Sequence, residues 1–412
     1  MIMMEDRWGK KDFQVVKEGI TYPLGIKAAG INCGIRLNKK DLALIYSDKL
    51  ADAVAMYTTN KFKAAPLVVT EKNLSLSGGK LKAVLINSGI ANACTGEKGL
   101  KDAWETVSYV SQGLNIKKEH VAVFSTGKIG EFLPLNKIKA GVEKVISGLD
   151  YAGGEEAAEA ILTTDTRKKE VAVNFVLGGK EVRIGGMAKG SGMINPHMAT
   201  MLGLVTSDVS INLDLLKSAL RQVVEKTFNM ISVDGDTSTN DMVIVMANGL
   251  AENRMMEEKD DNYYKFYHVL YFVVEYLAKC IAKDGEGATK MIEVEVKNAL
   301  SFAEAKKVAK AVINSPLVKT AIFGNDPNWG RILAAVGYCG AEVVADKVDL
   351  YLKEKIVENG QPLKFSRQNI HEYLGSSKEI KIVIDLKMGE ENATAWGCDL
   401  TYDYVKINTK YN

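Results

Sequence analysis

Histidine is scarce in this chain. Only four occur in 412 residues, His120, His197, His268 and His371. A mechanism resting on a histidine base therefore has few candidates, and the nucleophile-elbow pattern G-x-S-x-G is absent. The five cysteines, at 33, 94, 280, 339 and 398, form no C-x-x-C pair and no tight Cys/His cluster. That argues against a zinc ribbon or a thioredoxin-type site and for reduced thiols in a cytoplasmic protein. Neither G-x-x-x-x-G-K-[ST] nor G-x-G-x-x-G occurs, so the two best-known phosphate-cradling loops are missing. There is no basic block either. The 53 Lys and Arg residues nearly balance 51 Asp and Glu, and neither nucleic acid nor a membrane is expected as a partner. The N-terminal "MIMMEDRWGKKDF" lacks the apolar core of a targeting segment. The most apolar helical stretch, 266–285, contains Glu275 and Lys279 and is too polar and short for a membrane span.

What is present is an alternation of strand-like and helix-like runs without repeats. "LALIYS" (42–47), "KAVLIN" (82–87) and "VAVFS" (121–125) read as strands, while 101–114 and 135–149 have helical apolar spacing. A hairpin is expected over 170–186 with Gly178-Gly179 at its turn. Further helices are expected over 153–162, 212–228, about 260–283 and 302–313, with strands over 242–247 and 291–296. The fold class is mixed α/β in two lobes. Charge and glycine replace the helical pattern in "KDGEGATK" (283–290), so the domains are expected to be 1–285 and 286–412.

One stretch has an odd grammar. "NPHMATMLG" (195–203) sets Ala199-Thr200 between two methionines, directly after the glycine-rich "GGMAKGSGM". A strand entrance accounts for it. So does a reacting backbone. A threonine hydroxyl is a weak nucleophile without an adjacent base, and an N-terminal threonine carries its own base in the α-amine, which ordinarily titrates at about 7.7–8. An internal threonine reaches that state if its hydroxyl attacks the preceding carbonyl and the resulting ester is hydrolysed. A small preceding residue such as Ala199 and permissive glycines such as Gly190 and Gly192 suit that route.

Other stretches carry two readings as well. In "FSTGKIG" (124–130), Thr126-Gly127 follows a strand and is either a plain turn or a pair of donors for an oxyanion. Lys189 and Glu286 sit among glycines, either as solvated loop charges or as holders of the carboxylate and amine of an amino acid. On loops, both would matter to substrate more than to folding. Asp234, Asp236 and Asp241 in "SVDGDTSTND" invite a metal but lack EF-hand spacing, and Asp-Gly is an ordinary turn; no metal is expected. Arg331 in "NDPNWGRI" either faces an anion or belongs to a helix start.

Taken together and in order, "VFSTGKIGEFLP", "AILTTDT", "GGMAKGSGMINPHMATMLGLVTSD", "SVDGDTSTNDMV", "DGEGATKMIEV", "DPNWGRILAAVGYCG" and "AWGCDLTYDYVKIN" closely resemble the ornithine acetyltransferase family, the glutamate N-acetyltransferases of arginine biosynthesis. The resemblance runs from about residue 15 to the end. It implies an α/β sandwich like that of certain self-cleaving aminopeptidases, with a smaller C-terminal α/β lobe. It also implies self-cleavage between Ala199 and Thr200, with the two chains kept together as α2β2. Thr200 would take acetyl from N-acetylornithine and pass it to glutamate. Thr126 and Gly127 would form the oxyanion hole, and Thr163, Lys189, Thr200, Glu286 and Asn408 would contact substrate. No cofactor is implied, and acetyl-CoA stands open as a second acetyl donor.

The chain departs from the family pattern at four points. His197, Ile90 and Asn325 replace an asparagine, an asparagine and an acid, and the chain stops at Asn412 before a substrate-contacting Thr or Ser. Two rival functions have different chemistry. An N-terminal-threonine amidohydrolase would pass the acyl group to water, and a non-catalytic binding protein would never cleave. Thr126, Gly127, Lys189 and Glu286 together speak against both.

Overall fold

The computed structural model describes residues 12–195 and 201–409. They form two compact units. The first takes in the chain up to Gly190, a stretch ending at Glu225, and Thr237–Leu277. The second takes in Ser191–Asn195, Lys226–Asp236 and the chain from Ala278 onward.

The first unit is built on a sheet that the described residues make nine-stranded. Its strands are β1 (Phe13–Val16), β2 (Ile26–Ile31), β3 (Leu42–Tyr57), β4 (Lys80–Ile90), β5 (Val121–Lys128), β6 (Lys169–Leu177), β7 (Lys180–Lys189) and β8 (Leu202–Ser207). After the two-residue β9 (Ile231–Ser232), which belongs to the second unit, comes β10 (Met242–Ala247). The order is β1-β6-β7-β8-β10-β3-β4-β5, with β2 also against β3. The β8–β10 and β4–β5 pairs are parallel.

Side-chain alternation along these strands supplies two separate cores. Leu42, Leu44, Leu85, Val121 and Val123 face one core, while Ala43, Ile45, Val84, Ala122 and Phe124 face the other. Helices α1 (Ala65–Leu76), α2 (Gly96–Leu114), α3 (Leu135–Ser147) and α4 (Gly154–Ala160) follow in the chain. Val107 and Val110 of α2 join Ile138, Val142 and Val145 of α3 in the first core; three- and four-residue steps keep each set on one helix face. Ala157 and Ala158 of α4 lie in the second core. Gly30 of β2 admits α4 closely, since a Cβ there would stand 1.9 Å from the Glu156 carbonyl oxygen. Two long helices, α5 (Leu213–Lys226) and α6 (Asp261–Lys283), complete this part of the chain.

The second unit holds β9 with β11 (Met291–Ala299), β12 (Asp349–Leu352), β13 (Glu354–Glu358), β14 (Gln361–Pro362), β15 (Glu379–Asp385) and β16 (Glu391–Cys398), in the order β14-β13-β12-β15-β11-β16-β9. Its helices are α7 (Phe302–Asn314), α8 (Pro316–Phe323), α9 (Trp329–Tyr338), α10 (Arg367–Ser376) and α11 (Tyr402–Asn408). Ser301, Ser315, Ser366 and Thr401 each cap a helix N-terminus through a side-chain oxygen, satisfying an amide that has no partner within the helix.

The architecture is mixed α/β with two sheets, as the sequence implies. The units are discontinuous in sequence, whereas the sequence reading put one boundary at 285/286. The reason is strand pairing. Ile231 and Ser232 lie opposite Trp396 and Gly397 of β16, which takes their neighbours into the second unit. Among the described residues no helix is long and apolar enough to cross a membrane.

Candidate active site

Thr126 and Gly127 lie inside β5 rather than in a turn after it, because parallel pairing with β4 continues to Lys128. Ser88 and Gly89 stand opposite them, and a register shift at Gly89/Ile90 leaves Ile90 against both Thr126 and Lys128. Irregularities of this kind re-aim side chains at a strand end. Gly89 has φ +106 and Gly127 φ +128. A Cβ on Gly127 would stand 2.2 Å from the Gly89 carbonyl carbon, so only glycine allows the two backbones to approach this closely. Ile90, one of the departures from the family pattern, is thus an immediate neighbour of Thr126.

Lys189 is the last residue of β7 and pairs with Leu202 of β8. Its side chain is drawn into the unit. Lys189 is 7% exposed, Thr126 is 8% exposed, and Lys189 Nζ donates to Thr126 Oγ1 at 3.2 Å. The solvated-loop reading of Lys189 is therefore wrong. The glycines after it suggest a loop, but cross-strand pairing carries the hairpin three residues past the expected end at Gly186.

A buried ammonium needs a counter-charge. Asp165 supplies it. Its side chain is fully buried, as is that of Lys169, whose Nζ donates to Asp165 Oδ1 at 2.6 Å. The same carboxylate accepts the amide N–H of Gly190 at 2.7 Å and that of Thr163 at 3.0 Å. Burial alone would push the Asp165 carboxyl up, but Lys169, Lys189 and the Gly190 amide hold it well below the usual carboxylate range. Arg36 donates to the carbonyls of Leu162 and Thr163, the latter at 3.1 Å, and fixes Thr163 from the other side. Sequence reasoning missed Asp165. The available signals were its place in "AILTTDT" and a lysine four residues on.

Asn240 was also missed, and Asp241 was read only as one of three acids that invite a metal. Asn240 Nδ2 donates to the carbonyls of Ala91 at 2.6 Å and Ser125 at 2.8 Å, tying the entry to β10 to β5 and to the residue that follows β4. Asp241 is buried, and burial pushes its carboxyl well above the usual range; Lys189 and hydrogen bonds from Ser238 and Thr58 oppose this.

In the second unit, Glu286 is 7% exposed, so its solvated-loop reading fails as well. Its amide donates to Ser191 O at 3.0 Å. Its carboxylate accepts from Asn408 Nδ2 at 2.8 Å, which joins two residues 122 positions apart. A Cβ on Gly192 would stand 2.4 Å from that carboxylate, so the glycine makes room for the acid. Asp234 accepts the amides of Met193 and Ile194 at 2.6 and 2.8 Å. Asn325 has φ +55, a conformation asparagine tolerates better than most residues, and its side chain accepts from Lys290 Nζ. Arg331 Nη1 donates to Leu317 O at 2.9 Å, within the α8–α9 region. Among the described residues no group of three or more His, Cys, Asp or Glu is placed to hold a metal ion. Ala199, Thr200, His197 and Asn412 lie outside the described residues.

Residues 27–412 match the ArgJ family. The chain belongs to that family. It is similar to the "Arginine biosynthesis bifunctional protein ArgJ" of Caldanaerobacter subterraneus subsp. tengcongensis, 51% identical over 403 residues and covering 97% of this chain and 99% of the relative. The protein of the same name from Staphylococcus aureus strain COL is 48% identical and covers 97% of each chain. Among solved structures, the arginine biosynthesis bifunctional protein argJ of Bacillus halodurans is 49% identical with a TM-score of 0.50. That match covers 51% of this chain and 99% of the solved chain. As a member of the ArgJ family, the chain is an acetyltransferase of arginine biosynthesis.

Proposed function

We propose that the chain cuts itself between Ala199 and Thr200 and that the freed Thr200 carries acetyl from N-acetylornithine to glutamate. In the first step the Thr200 hydroxyl attacks the Ala199 carbonyl carbon. The peptide C–N bond breaks, the hydroxyl proton passes to the leaving amine, and an ester forms. Water then cleaves the ester, leaving a carboxylate on Ala199 and a free hydroxyl and amine on Thr200. In turnover the amine accepts the hydroxyl proton as the oxygen attacks the acetyl carbonyl. Ornithine leaves, glutamate enters, and its amine takes the acetyl group.

The observation that carries this reading is the contact of Lys189 Nζ with Thr126 Oγ1 beside Gly127, whose positive φ glycine adopts readily. A buried ammonium polarises the Thr126 hydroxyl, which with the Gly127 amide is suited to donate to an oxyanion. Glu286 suits a substrate ammonium and Lys189 a substrate carboxylate, with Thr163 and Asn408 as neutral contacts. The solved Bacillus halodurans chain is about half the length of this one, which favours a protein in two pieces. On this reading the pieces stay together as α2β2 in the cytoplasm, no cofactor is needed, and acetyl-CoA remains a donor to be assayed.

The test is mass spectrometry of purified protein. Fragments 1–199 and 200–412 are expected, and N-acetylornithine without glutamate should add one acetyl group to the fragment beginning at Thr200. Thr200→Ala should stay whole and inactive. An uncut wild-type chain that still transfers acetyl would sink the mechanism, and glutamate-independent release of acetate would mark a hydrolase instead.

A further inference from the structure

One carboxylate of the second unit grips the chain just before the cleavage site. Asp234 Oδ2 accepts the Met193 amide at 2.6 Å, and Oδ1 accepts the Ile194 amide at 2.8 Å and that of Asp236 at 3.3 Å. The first two are short, charge-assisted bonds to consecutive amides. Neighbouring contacts extend the grip. Ile194 O accepts from Val233 N at 2.7 Å and from Ser232 Oγ at 3.2 Å, and Asn195 Nδ2 donates to Gly235 O at 2.8 Å. Met193 is held at φ +55, a left-handed backbone that a non-glycine residue keeps only when its surroundings impose it. Ala199 follows Asn195 by four residues, so this grip sets where the chain begins its approach to the bond.

We propose that Asp234 is a positioning residue for self-cleavage, fixing the Met193–Ile194 backbone so that the chain reaches the Ala199–Thr200 bond from few conformations. The proposal rests on the cleavage reading above. Its physical basis is orientation. Attack of a hydroxyl on its own preceding carbonyl needs an uncommon backbone geometry, and every loosened residue upstream lowers the fraction of time spent in it. Asp234 transfers no proton in this role and is not needed at turnover. Its loss should therefore slow maturation without impairing the matured enzyme.

The experiment follows the conversion of full-length chain to fragments over time in Asp234→Ala, Asp234→Asn and Tyr404→Phe. Tyr404 Oη lies 3.4 Å from Asp234 Oδ2, and its removal leaves both amide bonds in place. Cleavage of Asp234→Ala should slow at least about tenfold, as expected when orientation is lost. Asp234→Asn, which keeps one acceptor oxygen, should fall between it and wild type, and Tyr404→Phe should cleave at the wild-type rate. After cleavage is complete, acetyl transfer per mole of cleaved Asp234→Ala should lie within about threefold of wild type, because orientation before the cut is the only role assigned to the acid. If Asp234→Ala does not fold, the isosteric Asp234→Asn carries the test by the same two readouts. Wild-type cleavage rates in the Asp234 variants would overturn the proposal. So would equal losses in cleavage and in turnover of the cleaved protein, which would make Asp234 merely structural. A wild-type chain that never cleaves would instead sink the reading on which the proposal rests.

Discussion

Lys189 Nζ donates to Thr126 Oγ1 across 3.2 Å, with both side chains buried and 63 positions between them in the chain. A lysine in that place cannot be removed without consequence for the rest of the unit. Lys189→Met should lower kcat/KM at least about a hundredfold, the scale of losing one oxyanion donor's support. It should also lower stability by about 1–3 kcal/mol, because Asp165 loses one of its two cations. Steady-state kinetics and thermal unfolding check the two effects. An unchanged melting temperature would return Lys189 to the solvent.

Asp165 gives a stability effect with a defined pH dependence. Its folded-state pKa is depressed, so its contribution is fully present above the unfolded carboxylate value of about 3.9 and fades as pH falls below it. Asp165→Asn should cost about 3–5 kcal/mol at pH 7, as for breaking a buried pair. The gap between variant and wild type should narrow steadily below about pH 4. Denaturant unfolding at a series of pH values tests this; a gap independent of pH would mean that the charge is not what matters.

Asp241 should behave in the opposite sense. Burial raises its folded-state pKa, so the folded protein binds a proton more tightly than the unfolded chain, and stability is lost as pH rises above about 3.9 toward the folded value. Asp241→Asn keeps the shape and removes the ionisation. The variant should be more stable than wild type at neutral pH, by a margin that is larger at about pH 7 than at about pH 5. Melting temperatures at the two pH values decide it, and a variant less stable at both would show that Asp241 is held ionised.

Gly192 and Glu286 can be separated by one methyl group. The clash of an added Cβ falls on the end of the Glu286 side chain, which must move and give up its bond from Asn408. Gly192→Ala should therefore lower stability by about 0.5–1.5 kcal/mol, the scale of one lost hydrogen bond, and leave the fold intact. It should raise KM for the amino-acid substrates at least about tenfold, the loss of one charge-assisted contact. Unaltered KM with a displaced carboxylate would remove Glu286 from substrate recognition.

Much of the scaffold is readable in the residues themselves. The nearly unbroken apolar runs "LALIYS" and "VAVFS" read as buried or half-buried strands, and both run as strands, although β3 continues ten residues beyond Ser47 to Tyr57. The extension was not legible because "DKLADA" is polar and looks like a turn; pairing with β4 and β10 holds it in the sheet. Gly178-Gly179 marks the hairpin turn, and both have positive φ. By contrast Asp165 has no local signature beyond Lys169. Its importance comes from Gly190 and Lys189, which the β6–β7 hairpin carries back beside it.

The sequence by itself determined the periodicity of the elements, the glycines that permit close approach, and the order of motifs that ties the chain to the ArgJ family. Those are properties of neighbours in the chain, where backbone preference and side-chain spacing act directly. Only the tertiary structure decided which charges are buried and with whom. Lys189 and Glu286 look like loop charges among glycines, yet each is nearly sealed from water. Burial depends on strand partners and packing from distant parts of the chain. A charge in such a place persists only because Asp165, at one site, and Asn408, at the other, are brought to meet it.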